Sequence, residues 1–521
     1  MIIHKYQTQS NTLNAIKKKS AQAGSVNKAL MKRNWNCSAF VSFQCLKVRW
    51  PIILLTTLAL ATIISGCSLA PPNILPTPPI AKTYPAEYEP VMEGKSAVTR
   101  EWREFFTDPC IQDLISRALD NNRSLRIAIQ RVAEARALYG IQRADLFPNI
   151  GAATSGQRGR TPADLSVTGE AVTASQYQTT LNLLSFELDF WGRVRNLSDA
   201  ALSGYLATEE AKRSFTLGLI AEVANTYLSE REFDERIALA QKTLAGREDS
   251  YRIAKRKFEV GYTSELDARQ AETLLTRARS DLASLSLARA QIHNALRVLV
   301  GTDLNNLPSP ASLSDQKLDF DIPAGLPSDL LINRPDVLAA ENRLKAANAN
   351  IGAARAAFLP RIQLTGAFGT ASAQLDGLFE AGSKTWNFLP VITLPLFDAG
   401  RNKSGLDIAQ ARKNIAVADY ELTLQQAFRE VSDSLAARKQ LMFKVQAQSD
   451  TLSAESARTR IVNLRYTNGA ANYLELLDAQ RDLFSAEQQM VQTQREQLTN
   501  AILLYKALGG GILKNNTYNL N

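Results

Sequence analysis

The sequence predicts a mainly helical chain with a smaller membrane-type β part, built twice over. Three observations predict it. Two stretches, Leu197 to Phe258 and Ser404 to Tyr466, contain no proline and keep a helical pattern throughout. At 1.5 Å per residue, sixty such residues reach about 90 Å, longer than a single globular domain needs. Ahead of each stretch lies a pair of short segments that alternate apolar and polar residues around a Gly/Thr/Ser-rich loop. Finally, the motifs recur: Gly261 and Gly469 stand 208 residues apart, and Asn121, Arg131 and Pro148 are answered by Asn333, Arg343 and Pro360. Matches this widely spread indicate an internal duplication.

The N-terminal region reads as a secretion signal. The chain of 521 residues carries a formal charge of +9, which resembles a nucleic-acid or membrane signal. Residues 1–66 hold nine Lys/Arg and no Asp/Glu, so the remainder carries 51 charges of each sign. The basicity therefore belongs to the presequence, and no nucleic-acid partner is expected. Lys47 and Arg49 precede an apolar run from Pro51 to Ile64 that is short for a bilayer span. Ile64-Ser65-Gly66-Cys67 closes it in the manner of a lipoprotein cleavage box. The expectation is cleavage before Cys67 and a covalent lipid on that residue, with no other cofactor and no metal. Ser68 at the next position favours sorting to the outer membrane. Of the other cysteines, Cys37 and Cys45 would be removed, leaving Cys110 without a disulfide partner in the chain.

Residues 67–100 are Pro-rich and fit an exposed tether or wrap. The first repeat, 101–310, opens with a turn at Asp108-Pro109 and a helix, then a helix from Ser124 to Ala144 that stops before Pro148. Strands are expected at Pro148–Gln157 and Gln176–Phe190. The second repeat, 311–511, places strands at Pro360–Thr370 and Lys384–Leu396, and 512–521 form a tail. In the third strand Ile362, Leu364, Gly366 and Phe368 share a face, with Gln363, Thr365 and Ala367 opposite. Trp386, Phe388, Ile392 and Leu394 share a face of the fourth. Such length and texture suit tilted membrane strands, and a soluble hairpin would look much the same. Gly192-Arg193 and Gly400-Arg401 mark the strand-to-helix joints.

Each long helix is returned by another of about forty residues, ending at Gly301 or Gly509, so the rods are expected to be coiled-coil hairpins. Seam positions are Ala271, Leu274, Ala278, Leu285, Ala288, Ile292, Ala295 and Leu299 in the first and Leu476, Ala479, Leu483, Ala486 and Met490 in the second. Four strands cannot close a barrel, and open edges in a bilayer leave backbone groups unpaired at several kcal/mol each. Several copies must therefore pool their strands. Three copies give twelve, enough to keep a lumen, although the number three is not forced by the strand count.

The stretches FFTDPCIQDLISRALDNN, RVAEARALYGIQRADLFPNI, FELDFWGRVRN, NRPDVLAAENRL, ARAAFLPRIQLTGAFG, LPLFDAGR and NYLELLDAQRDLFSAEQQ appear in order from about Glu101 to Gly511. They resemble the TolC-like outer-membrane efflux proteins, most closely the lipoprotein branch typified by OprM and NodT. Cys110 departs from the Leu usual in that family. The resemblance implies a homotrimer: a twelve-stranded β-barrel in the outer membrane of a Gram-negative bacterium and a long α-barrel through the periplasm. It also implies a periplasmic adaptor and an inner-membrane pump of the resistance–nodulation–division type as partners. Such a protein is a passive exit duct and not an enzyme. No Gly-rich phosphate loop, paired-His metal motif or Ser/His/Asp set occurs, and His293 falls in an Ala/Leu helical pattern.

By the same resemblance Tyr466, Leu474, Glu475, Asp478 and Arg481 lie where the pore narrows, with Asp267 facing them from the first repeat. Glu475 and Asp478 are like charges at i, i+3, unfavourable on an isolated helix. Three copies would set six carboxylates about one axis, a cation-preferring constriction unless Arg481 or cations compensate. The same residues also fit a solvated acidic face with Arg481 as its i+3 partner. The two turns, around Phe258 and Gly261 and around Tyr466 and Gly469, are the expected adaptor contacts. Drugs are the first expectation for the cargo; metal ions, solvents or secreted proteins are the alternative, and a lipid-anchored coiled-coil scaffold a more distant one.

Overall fold

The computed structural model describes residues 68–85, 97, 100–316, 318, 322–323, 325 and 327–511. The presequence, Cys67 and the 512–521 tail lie outside the described residues. In chain order the elements are α1 (Trp102–Phe105), α2 (Pro109–Asn121), α3 (Arg123–Ala144), β1 (Asn149–Thr161) and β2 (Val172–Leu188). These are followed by α4 (Arg193–Glu259), α5 (Glu265–Val300), α6 (Asp329–Asn333) and α7 (Pro335–Ala356). The chain ends with β3 (Arg361–Ser372), β4 (Lys384–Thr393), α8 (Arg401–Thr467) and α9 (Tyr473–Ala507). The expected elements are all present, and the long helices begin a turn earlier than their apolar pattern indicates. Gly192 and Gly400, each left-handed (φ 72° and 85°), start α4 and α8 directly after the strands.

Both long helices have 67 residues, about 100 Å at the α-helical rise. α5 folds back on α4, and α9 on α8, as two hairpins; α4 also packs on α9 and so joins them. Leu476, Ala479 and Ala486 of the expected seam are buried. The first seam departs from expectation: Ala295 is exposed, while Leu296 and Val300 are buried with Ala268, Ala271 and Leu275. A strict seven-residue repeat drifts by about 20° per heptad on a straight helix, so the buried stripe moves off the heptad positions along the rod.

The four strands form one antiparallel meander in the order β1-β2-β3-β4. Pairing of Phe368 with Trp386 and Leu181, and of Ile362 with Ile392 and Leu188, gathers apolar side chains on one face. Thr180, Gln363 and Asn387 lie on the other. The shift between Leu183 and Phe186, with Ser185 at φ 44°, is a β-bulge that keeps Phe186 and Leu188 on the apolar face. This face stays open: Trp386 is 74% exposed and Ile392 68%. Among the described residues β1 pairs only with β2 and β4 only with β3, so both edges are unpaired among them.

The main core lies where α1 and α2 meet the middle of α4 and α8 and the ends of α5 and α9. Phe105 stacks on Tyr505 (centroids 4.2 Å apart), and the Tyr505 hydroxyl donates to the Arg100 carbonyl at 2.9 Å. Asp108 caps α2 by accepting from the Cys110 amide at 2.7 Å and also accepts from Tyr227 and Gln316. Cys110 is buried beside this group, and burial pushes its thiol up, away from the reactive thiolate. The segment after Cys67 behaves as a wrap. Asn348 donates to the Pro71 carbonyl at 2.7 Å, Arg355 to that of Leu69 at 3.1 Å, and Ser68 to Asn196 at 2.8 Å. A Cβ on Gly352 would stand 2.7 Å from the Ala70 nitrogen, so only glycine leaves room for the strap. Tyr84 then stacks on Phe428 of α8 at 5.3 Å.

Candidate functional site at the hairpin tips

The two hairpins turn by the same device. At the first, the Tyr262 amide donates to Lys257 (2.8 Å) and the Gly261 amide to Phe258 (2.9 Å). At the second, Ala470 donates to Arg465 (2.8 Å) and Gly469 to Tyr466 (3.1 Å). Both are Schellman-type endings, and Gly261 (φ +74°) and Gly469 (φ +76°) supply the left-handed residue that they require. The return helices are capped alike, Ser264 accepting from the Asp267 amide and Asn472 from that of Glu475. Asp267 and Glu475 are thus equivalent positions of the duplication. Each is an acid in a first helical turn, where the helix dipole favours negative charge.

The acidic stripe of α9 is matched, charge by charge, within one chain. Glu475 pairs with Arg465 across the tip turn at 3.3 Å, and Asp478 with Arg481 at 3.0 Å. Asp482 meets Arg481 at 3.0 Å and Arg458 at 2.9 Å. Hydrogen bonding from Arg458, then from Arg481, holds the Asp482 carboxyl below the usual carboxylate range. Arg481 is therefore the i+3 partner that the sequence offers. Arg458 and Arg465 were not legible from the stripe, because they approach it from α8.

A cavity of about 320 Å³ lies between the two tips and is bounded by all four rods. It brings Asp267 and Tyr466 together with Tyr473, Leu476, Lys257 and Gln480. The rings of Tyr466 and Tyr473 lie 5.7 Å apart, and burial raises the Tyr473 hydroxyl pKa. Glu475, Asp478 and Arg481 stand outside that lining, and Leu474 is exposed to solvent. The first tip also presents Phe258, Val260, Tyr262 and Leu266 outward.

Further up, a ladder of polar ties joins α4 to α9. Arg495 donates to Glu232 at 2.9 Å, and the buried Glu232 also takes Arg236 at 2.9 Å. Arg236 in turn donates to Gln488 at 2.6 Å. Nearest the tip, Arg247 donates to Gln480 at 3.0 Å. Arg247 is buried, which lowers its guanidinium pKa. The ladder thus passes from a buried carboxylate at mid-rod to a neutral amide near the tip. Sequence reasoning missed it: its only linear trace is Arg236 and Arg247 eleven residues apart, a straight-helix spacing of three turns.

At the opposite end of the rods, Arg193 makes a bidentate pair with Glu187 (2.8 and 2.7 Å), and Trp191 donates from Nε1 to the Pro360 carbonyl at 2.8 Å. The strap residue Ser68 reaches Asn196 just beyond this joint, so the residue after Cys67 is held near the base of the sheet.

The family model described as outer membrane efflux protein matches residues 114–302 and 326–510. The toluene efflux pump outer membrane protein TtgC of Pseudomonas putida is 46% identical over 462 residues, 88% of this chain and 95% of that protein. The outer membrane protein OprJ of Pseudomonas aeruginosa is 43% identical over 465 residues, 89% of this chain and 97% of its own length. Among solved structures, the open state of the Neisseria gonorrhoeae MtrE outer membrane channel superposes with a TM-score of 0.78 at 40% identity, covering 85% of this chain and 98% of that one. The Campylobacter jejuni CmeC outer membrane channel gives 0.79 at 29% identity, covering 85% and 95%. The expected fold class and localisation are borne out: long helical hairpins carry a four-stranded share of a barrel, in an outer-membrane channel for efflux. By the two matched segments and by relatives that span nearly its whole length, this chain belongs to the outer membrane efflux protein family.

Proposed function

We propose that three copies assemble into one passive exit duct, whose narrow point is the pair of hairpin tips. The observation that carries this reading is the meander with two unpaired edges and an open apolar face. Backbone groups at such edges need partners in a bilayer, and twelve pooled strands supply them while keeping a lumen. The apolar face then meets lipid, and the polar face lines water. In this assembly Tyr466, Leu474, Glu475, Asp478 and Arg481, with Asp267 across the cavity, form the periplasmic gate. The cross-turn pairs hold it shut in each copy, and the exposed aromatic and apolar tip around Phe258, Gly261, Tyr466 and Gly469 docks a periplasmic adaptor. That adaptor links the duct to an inner-membrane pump of the resistance–nodulation–division type, which supplies the energy.

Cys67 is the lipid attachment point. The docked strap from Ser68 to Pro71 supports this, because Ser68, the next residue in the chain, is tied to Asn196 beside the strand-to-helix joint. The cargo is small hydrophobic molecules, organic solvents and antibiotics among them, as in the names of the relatives. The test is light scattering of the full detergent-solubilised chain, followed by reconstitution in a planar bilayer. A trimer that conducts is expected; a conducting monomer, or a trimer that never conducts, would overturn the reading.

A further inference from the structure

We infer that the strand edges of neighbouring copies pair in one defined register, Ile392 of one copy opposite Thr154 of the next, ending in an apolar seat of Leu396 on Ile150. The inference rests on the assembly proposed above and adds to it which residues touch.

The duplication supplies a template. The strand β3 follows β1 by 212 residues, as Pro360 follows Pro148, and the joint after β4 follows that after β2 by 208, as Gly400 follows Gly192. The β2–β3 contact inside the chain is therefore the model for the contact between β4 and the neighbour's β1. Within the chain Leu188 pairs with Ile362 and Phe186 with Leu364. Carried over, these become Leu396 opposite Ile150 and Leu394 opposite Ala152.

Beyond the bulge at Ser185 the count changes: Asn149 pairs with Leu184 and its counterpart Arg361 with Thr393, so the offset from β2 to β4 is 209 there and not 208, and β4 lacks the residue that β2 adds at its bulge. Corrected for it, Leu181, which pairs with Phe368, corresponds to Pro390, and Phe368 corresponds to Gly156. Pro390 opposite Gly156 belongs to the same unbroken register as Leu396 opposite Ile150, with Ile392 opposite Thr154 between them. Both halves of the strand then fall in one unbroken register.

Face parity is a second check. A slip of one residue turns every side chain to the opposite face. Ile150 pairs with Leu183, on the apolar face, and Ile392 pairs with Ile362 on that same face. The inferred register sets apolar face beside apolar face, and either single-residue slip would not.

The joint itself differs between the two kinds of contact. Inside the chain it is clamped by polar groups: Glu187 holds Arg193 and faces Arg361 at 3.8 Å, and Trp191 is bonded to Pro360. At the corresponding positions between copies stand Pro395 for Glu187, Asn149 for Arg361 and Ala399 for Trp191. None of these can form that clamp. In their place the chain exposes Leu396 (89%) and Phe397 (91%) just past the end of β4, and Ile150 (67%) in β1 with Phe147 (61%) just before it. Large apolar side chains left open at complementary ends of two unpaired edges fit a second copy of this chain. The neighbour contact is consequently an apolar seat where the internal contact is a salt-bridged one.

The test is disulfide trapping in the full, lipidated chain in detergent, with paired substitutions Ile392→Cys/Thr154→Cys and Leu396→Cys/Ile150→Cys. Ile392→Cys/Ala152→Cys and Ile392→Cys/Gly156→Cys serve as off-register controls. Residues directly opposite in an antiparallel pair lie within disulfide reach, and those two positions away do not. Oxidation is expected to convert most of each in-register pair, and under a tenth of each control, into covalent trimers on denaturing gels. Trapping by a control pair, or by none, in protein that light scattering shows to be trimeric would overturn the register and leave the assembly standing. Monomers of wild-type protein would instead overturn the assembly. Leu396→Asp/Phe397→Asp supplies a reading without cysteines: trimers that dissociate at a lower temperature are expected, and unchanged heat resistance would overturn the apolar seat.

Discussion

The carboxylate of Glu475 lies 3.3 Å from the guanidinium of Arg465, tying the first turn of α9 to the last turn of α8 across the tip. Both charges also complement their helix ends, acid at an N-terminus and base at a C-terminus. The pair is solvent-exposed, so its worth to folding is about 0–1 kcal/mol. Its consequence is positional. Arg465→Ala should leave the melting temperature of the trimer nearly unchanged while raising channel conductance. A large loss of thermal stability without a change in conductance would make the pair a folding element instead.

Acid should loosen the same tip. Asp482 titrates below the usual carboxylate range because Arg458, and then Arg481, stabilise its charged form. A group with a depressed folded-state pKa contributes fully above its unfolded value, and the contribution disappears as pH falls through the folded value. Conductance should therefore stay flat down to about pH 4 and rise only below it. Asp482→Asn should show the raised level at neutral pH. Conductance recorded across this range checks both statements.

The mid-rod tie at Glu232 should behave differently because it is buried. Arg495→Met leaves that carboxylate with Arg236 alone, at a cost of roughly 1–3 kcal/mol for an underpaired buried group. Thermal dissociation of the trimer should shift downward, and Arg495→Met combined with Glu232→Gln should recover much of the loss. Additive losses in the double variant would show that the two residues are not coupled.

Docking at the tips predicts that Gly261→Trp with Gly469→Trp blocks crosslinking to the adaptor while trimers persist. No atom outside the turns lies within 4 Å of a Cβ added at either position, so each tryptophan would project from the tip. Undiminished crosslinking would place the adaptor elsewhere. Lipidation predicts that Cys67→Ser takes up no labelled fatty acid during growth, and label on that variant would refute the assignment.

Much of this architecture was legible because its signals are local. Proline-free runs bounded by Gly192 and Gly400 give the rods, Pro148 and Pro360 separate helix from strand, and period-two alternation gives the sheet. The tip turns were legible for the same reason, since a Schellman ending requires its glycine. What escaped was whatever depends on side chains meeting across long separations. Arg247 and Gln480 are 233 residues apart, and Arg458 reaches Asp482 from another helix. No spacing rule announces either. Nor does a polar Ser68 announce that it docks on Asn196. The first seam was misplaced at Ala295 because a heptad template was laid on a helix that turns at 3.6 residues.

A conducting duct gated at its tips is tested most directly by single-channel recording of wild type against Glu475→Ala/Asp478→Ala. Removing both acids leaves Arg465 without its carboxylate and Arg481 with Asp482 alone. A small conductance is expected in the wild type, whose tip acids are each matched by an arginine. In the double variant the conductance should be larger and shifted toward anions. Equal conductance and equal selectivity in two intact trimers would contradict a gate at the tips.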